Sequence, residues 1–81
     1  MRRRRPTRPR VRLNPQAAWE HLSRLDMSQN ELARAAGIST GHMSLLVNGR
    51  RSPSPGVRRC LQAVLGVTDF YELFILEEAR E

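Results

Sequence analysis

The chain contains no lysine: all 14 of its basic residues are arginine, set against 8 acids for a net charge of +6. It also has a single cysteine, two histidines and few aromatics, 5% of 81 residues. A lone Cys60 excludes a disulfide framework and a cysteine-based metal cluster, and it fits a reducing, intracellular setting. On the fourth predicted helix, Cys60 reads most simply as a small apolar filler. His21 has no histidine or cysteine partner at ligand spacing, so no metal and no cofactor are expected. No apolar run approaches membrane-spanning length, so no membrane partner is expected either. The leading arginines lack the hydrophobic stretch of a signal peptide, and Pro6, Pro9 and Pro15 oppose an amphipathic transit helix. Paired carboxylates in a cleft, a nucleophile triad and a phosphate-cradling glycine loop are all missing, which argues against an enzyme. At 40% hydrophobic residues the chain suits one small domain with little room for a deep cavity.

What is present is arginine, unevenly placed. Arg2, Arg3, Arg4, Arg5, Arg8, Arg10 and Arg12 all precede residue 13, whereas Asp69, Glu72, Glu77, Glu78 and Glu81 crowd the other end. A molecule basic in front and acidic behind can be oriented by a polyanion. Arginine's planar fork suits phosphates and base edges, although an arginine-rich genome would yield the same usage. Self-repulsion together with Pro6 and Pro9 predicts a flexible arm, disordered or extended, over residues 1–13. A folded domain is expected over 14–79, with 80–81 as a tail.

Within that domain the punctuation predicts five short helices and no strand. Asn14 caps the first and Pro15 fits its first turn, with Ala18, Trp19, Leu22 and Leu25 inward; Asp26 and Met27 form the break. Ser28 and Glu31 make a capping box for the second helix, which buries Leu32, Ala33 and Ala36 and stops at Gly37. Ser39 caps the third, which runs to about Val47 or Asn48. Ser54 and Pro55 open the fourth, with Val57, Leu61, Val64 and Leu65 inward and Gly66 closing it. Thr68 is placed as the cap of a fifth, where Phe70, Leu73 and Phe74 follow helical spacing. Tyr71, Ile75 and Leu76 fall off that stripe. Apolar residues nearly all round a last helix suggest a second contact surface, such as that of a homodimer.

The second and third helices are joined by a very short turn at Gly37. Ala33 lets them cross closely, and Leu32, Ala36, Ile38, Met43 and Leu46 lock the pair onto the remaining helices. Such a device presents its second helix to a DNA major groove. At about 100° per residue from Thr40, the core stripe Met43, Leu46 and Val47 lies between about 240° and 340°. Thr40, Gly41, Ser44, Leu45 and Asn48 occupy the other side, with His42 near the boundary.

The stretch "SQNELARAAGISTGHMSLLVNGRRSPS" (28–54) resembles the lambda-repressor-like, Cro/cI-type (XRE family) helix-turn-helix domain. The likeness continues through "VRRCLQAVLGVTDFYELF" (57–74) and leaves out only the arm and the last few residues. It implies an all-α, compact five-helix bundle. It also implies base-edge positions at Thr40, Gly41, Ser44 and Leu45, with His42 a further candidate. Gln29, Asn48, Arg50 and Arg51 match positions that approach the DNA backbone, and Ser39 is grouped with them. Gly41 and Leu45 stand where many relatives carry hydrogen-bonding side chains, and Val47 replaces a frequent glutamate.

The function expected is a sequence-specific double-stranded-DNA-binding transcriptional regulator, a repressor in the first instance. Its partner would be DNA with paired half-sites, bound by a homodimer through Tyr71, Ile75 and Leu76. A cytoplasmic, nucleoid-associated protein of bacterial or mobile-element origin fits that reading. Two others compete with it: an antitoxin-like module whose last helix binds a partner protein, and a non-specific nucleic-acid-coating protein led by its arm.

Overall fold

In a computed structural model, residues 9–78 are described. They form β1 (Pro9–Leu13), α1 (Pro15–Leu25), α2 (Gln29–Ala36), α3 (Thr40–Val47), α4 (Pro55–Leu65), a 3-10 turn (Phe70–Glu72) and β2 (Phe74–Glu78). The helix ends follow the predicted chemistry. Asn14 Oδ1 accepts from the N–H groups of Gln16 and Ala17, at 3.1 and 3.2 Å, and Pro15 opens α1. The reciprocal box at α2 is complete: Ser28 Oγ accepts from Glu31 N at 3.0 Å, and Glu31 Oε1 accepts from Ser28 N at 2.8 Å. Ser39 and Ser54 cap α3 and α4 by accepting from His42 N and Val57 N. Each such cap is worth about 1 kcal/mol. Asp26 closes α1 with φ 57°, the one non-glycine residue with positive φ among those described.

The helices enclose a single apolar core. Leu13, Leu32, Ala33, Met43, Leu46, Leu61, Leu73 and Phe74 are essentially sealed from solvent, and no polar side chain is buried with them among the described residues.

Two expectations fail here. Among the described residues there is no fifth helix: the segment after Thr68 makes one 3-10 turn, capped by Asp69 rather than Thr68, and then extends as β2. Nor is the fold all-α, because β1 and β2 pair antiparallel, Leu13 opposite Phe74, Val11 opposite Leu76 and Arg10 opposite Glu77. The expected flexible arm over 1–13 is thereby shortened. Residues 9–13 are a strand whose last side chain, Leu13, is core; Arg2, Arg3, Arg4, Arg5 and Arg8 lie outside the described residues. The physical reason is reciprocal. Extended backbone satisfies its peptide groups only against a second strand, and β-preferring Val11 and Ile75 face each other's strand while Leu13 and Phe74 close the core.

Candidate nucleic-acid interface

The connection between α2 and α3 is built from three residues. Gly37 takes φ 77° and its N–H reaches Arg34 O at 3.1 Å, while Ile38 N reaches Ala33 O at 3.0 Å. A Cβ at Gly37 would meet nothing within 4 Å, so glycine is required there by the backbone angle alone. Ile38 packs against the core, and Ala33, fully buried, lets the two helices approach.

Helix α3 is thereby split into two faces, as the helical wheel predicts. Met43 and Leu46 are completely buried and Val47 half so. Thr40 and Gly41 are exposed, His42 and Ser44 half-exposed, and Leu45 is 38% exposed, a large apolar side chain left in water. Gly41 has open space where a Cβ would stand, so nothing inside the fold calls for glycine there. Asn48 ends the helix and donates through Nδ2 to Ser44 Oγ at a long 3.4 Å. Beyond it Arg50 and Arg51 are both exposed, and Arg50 N closes the turn onto Leu45 O. Gln29 is half-exposed at the first turn of α2, and the exposed Ser39 caps α3. Apart from Gln29 on α2 and the arginines at the N-terminus, the residues expected at base edges and at phosphates therefore fall in one run of the chain, from the cap of α3 to the turn that follows it.

Several side chains are placed otherwise than expected. Trp19 is not a core anchor: it is 68% exposed and lines surface hollows with Gln16, Gln29 and Val47. Leu25 and Cys60 are also exposed. Arg12 is not a free arm residue. Its guanidinium pairs with Glu77 at 2.7 Å and lies 3.1 Å from the position a Cβ on Gly49 would take. Arg10 is exposed on the same strand, and Arg58 sits over the Phe70 ring at 5.9 Å. Tyr71 is on the 3-10 turn, and Ile75 and Leu76 are on β2 rather than a helix, though all three remain exposed apolar residues. Trp19 adjoins the buried Ala18 on the edge of the apolar stripe, so its spacing alone points inward although the side chain does not. No group of His, Cys, Asp or Glu able to hold a metal occurs among the described residues, and no helix there is long and apolar enough to cross a membrane.

Comparison with known proteins bears on the same segment. A family model described as helix-turn-helix matches residues 22–69, from α1 to the start of the 3-10 turn. Among solved structures, the crystal structure of the transcriptional regulator VanUg, form II, is similar with a TM-score of 0.69. At 22% identity the alignment covers 95% of this chain and 100% of that one, a likeness of fold. No curated protein matches the chain.

Proposed function

The chain belongs to the XRE-type helix-turn-helix family, and from that premise we propose that it is a sequence-specific regulator of transcription, a repressor, that reads double-stranded DNA with α3. The observation that carries this reading is the division of α3. Met43 and Leu46 fix one side in the core, while Thr40, Gly41, Ser44 and Leu45 have no fold-internal role that would explain their exposure.

On this reading phosphate contacts position the helix and base contacts discriminate. Arg50 and Arg51 flank the C-terminal end of α3, Gln29 begins α2, and Ser39 and Asn48 border α3 itself. These are the residues assigned to the DNA backbone. Arg2, Arg3, Arg4, Arg5, Arg8 and Arg10 add counterion-release affinity without sequence information. Arg12 is withdrawn from that set by its pairing with Glu77. Discrimination falls to Leu45 and the Thr40 methyl against thymine methyls, to Ser44 and His42 as hydrogen-bonding groups, and to the close approach that Gly41 permits. So sparse a face reads few base pairs. A second copy on a paired half-site supplies the remainder, and exposed Tyr71, Ile75 and Leu76 support a protein-binding surface for it. The protein is non-enzymatic and works in the cytoplasm.

Selection of bound sequences from a random DNA pool, at stated salt, tests the proposal. Enrichment of a defined half-site is expected; uniform recovery of all sequences would leave only non-specific binding.

A further inference from the structure

The Arg12 side chain crosses from β1 to the turn that ends α3, and the way it lies there is specific. Its Nη2, Cζ and Nε atoms stand 3.1, 3.3 and 3.3 Å from the position a Cβ on Gly49 would take. The central carbon is no farther away than Nε, so the planar group turns its flat face, not its edge, to the glycine. From the other side Glu77 Oε2 accepts from Nη1 at 2.7 Å and holds the guanidinium in place.

Stability is a poor explanation for this arrangement. The ion pair is about a third exposed on both sides, at 30% and 39%, where such pairs contribute little. Arg12 Nε is sealed from solvent and has no hydrogen-bond partner among the described residues, which costs the fold the solvation of that N–H. What the side chain covers is more informative. Gly49 N donates to Leu46 O at 3.2 Å and Arg50 N to Leu45 O at 2.9 Å, with Gly49 at φ 73°. These two bonds set Arg50 and Arg51 at a fixed offset from Leu45 on the exposed face of α3. The last turn of α3 carries no basic residue of its own, so a cation brought from β1 stands at its carboxyl end.

We propose that Arg12 is a positioning residue for DNA reading. It touches no DNA; its guanidinium, steadied by Glu77, fixes the turn after α3 and with it the register between the reading face and Arg50 and Arg51. Phosphate contacts decide where a reading helix sits in the groove. A loosened turn therefore blurs the register while the same arginines still reach phosphates. The effect on DNA rests on the proposed function, whereas the hold on the turn does not. Lysine could supply the charge and the bond to Glu77, but it has no flat face to lay on Gly49.

The test uses the full chain and has two arms. In the free protein, amide hydrogen exchange reads the turn directly. The Gly49 and Arg50 N–H groups should exchange faster in Arg12→Ala, beyond any change shared by the core N–H groups of Leu32 and Leu61. The double swap Arg12→Glu with Glu77→Arg restores the cross-strand pair but returns no guanidinium to Gly49, because β1 is the strand packed against α3. It should recover the melting temperature and leave the turn unprotected. Arg12→Lys should behave in the same way, and it decides the matter if the swap fails to fold. With DNA, Arg12→Ala should bind the enriched half-site roughly tenfold more weakly, about the effect of one mismatched base pair, with non-specific affinity and salt slope unchanged. Wild-type exchange at Gly49 and Arg50 in Arg12→Ala would overturn the proposal, as would full protection in the swap or in Arg12→Lys. So would faster exchange with undiminished discrimination, or a flattened salt slope, which would make Arg12 a phosphate contact. A wild type that enriches no half-site would remove the DNA reading instead, and the exchange rates alone would then decide whether Arg12 holds the turn.

Discussion

Arg12 Nη1 donates to Glu77 Oε2 at 2.7 Å, diagonally across the β1–β2 ladder, and the same guanidinium covers Gly49 at the turn following α3. One side chain thus ties β1 and β2 to the turn at the end of α3. Both partners are about a third exposed, at 30% and 39%, so the ion pair itself contributes little, ~1 kcal/mol or less.

Arg12→Ala is expected to lower the melting temperature slightly and to leave the slope of log K against log salt unchanged. Arg10→Ala should do the reverse, flattening the slope by about 1 with stability intact. Thermal melts and binding titrations over a salt series check both. A flattened slope in Arg12→Ala would return that residue to the phosphate-contacting set.

Gly49 carries two constraints, a φ of 73° and the Arg12 guanidinium 3.1 Å from a prospective Cβ. Gly49→Ala should cost about 1–2 kcal/mol from the left-handed backbone alone. Adding Arg12→Ala should recover only the part due to the close contact. Denaturant midpoints of the two single variants and the double one separate the terms.

Gly41 is the opposite case. It lies in α3 with no positive φ and no neighbour to crowd a methyl group. Gly41→Ala should stabilise the fold by about 1 kcal/mol through helix propensity. If backbone approaches DNA there, the same variant should bind DNA more weakly. Stability and affinity moving in opposite directions is the expected signature; affinity unchanged or improved would rule out close approach at Gly41.

Trp19 is the chain's single tryptophan, and it borders Gln29 at the start of α2. Its emission should begin solvent-exposed and shift to shorter wavelength when DNA is added. Because it is not core, Trp19→Ala should change stability by less than ~0.5 kcal/mol, far from the 3–5 kcal/mol of a buried aromatic. An emission spectrum indifferent to saturating DNA would place the interface away from the start of α2.

The helices were legible in the sequence because their signals are local. Asn14, Ser28, Ser39 and Ser54 each cap within three residues of themselves, and Gly37 and Gly66 stop helices through their own backbone angle. The two faces of α3 followed from spacing alone. The sheet was not legible, because each strand exists only by virtue of the other, far away in the chain. In "PRVRL" the arginines and proline outweighed the alternation of Val11 and Leu13. Leading into "FILEE", the spacing of Phe70, Leu73 and Phe74 fits a helix, and these residues do turn inward, Phe70 partly and the other two fully. The spacing thus marks the inward residues there but not the element that carries them. Trp19 failed for a different reason: an eleven-residue helix packing one narrow face does not need a residue at every position flanking its stripe.

The most direct test of the central claim, that the exposed face of α3 reads base sequence, is to repeat the random-pool selection with Leu45→Ala and with Thr40→Ala. Both residues are exposed, so the variants should fold as the wild type does. The enriched half-site is predicted to change or relax at particular thymine positions in each, while non-specific affinity and its salt dependence stay the same. An unchanged half-site preference in both variants would contradict the assignment.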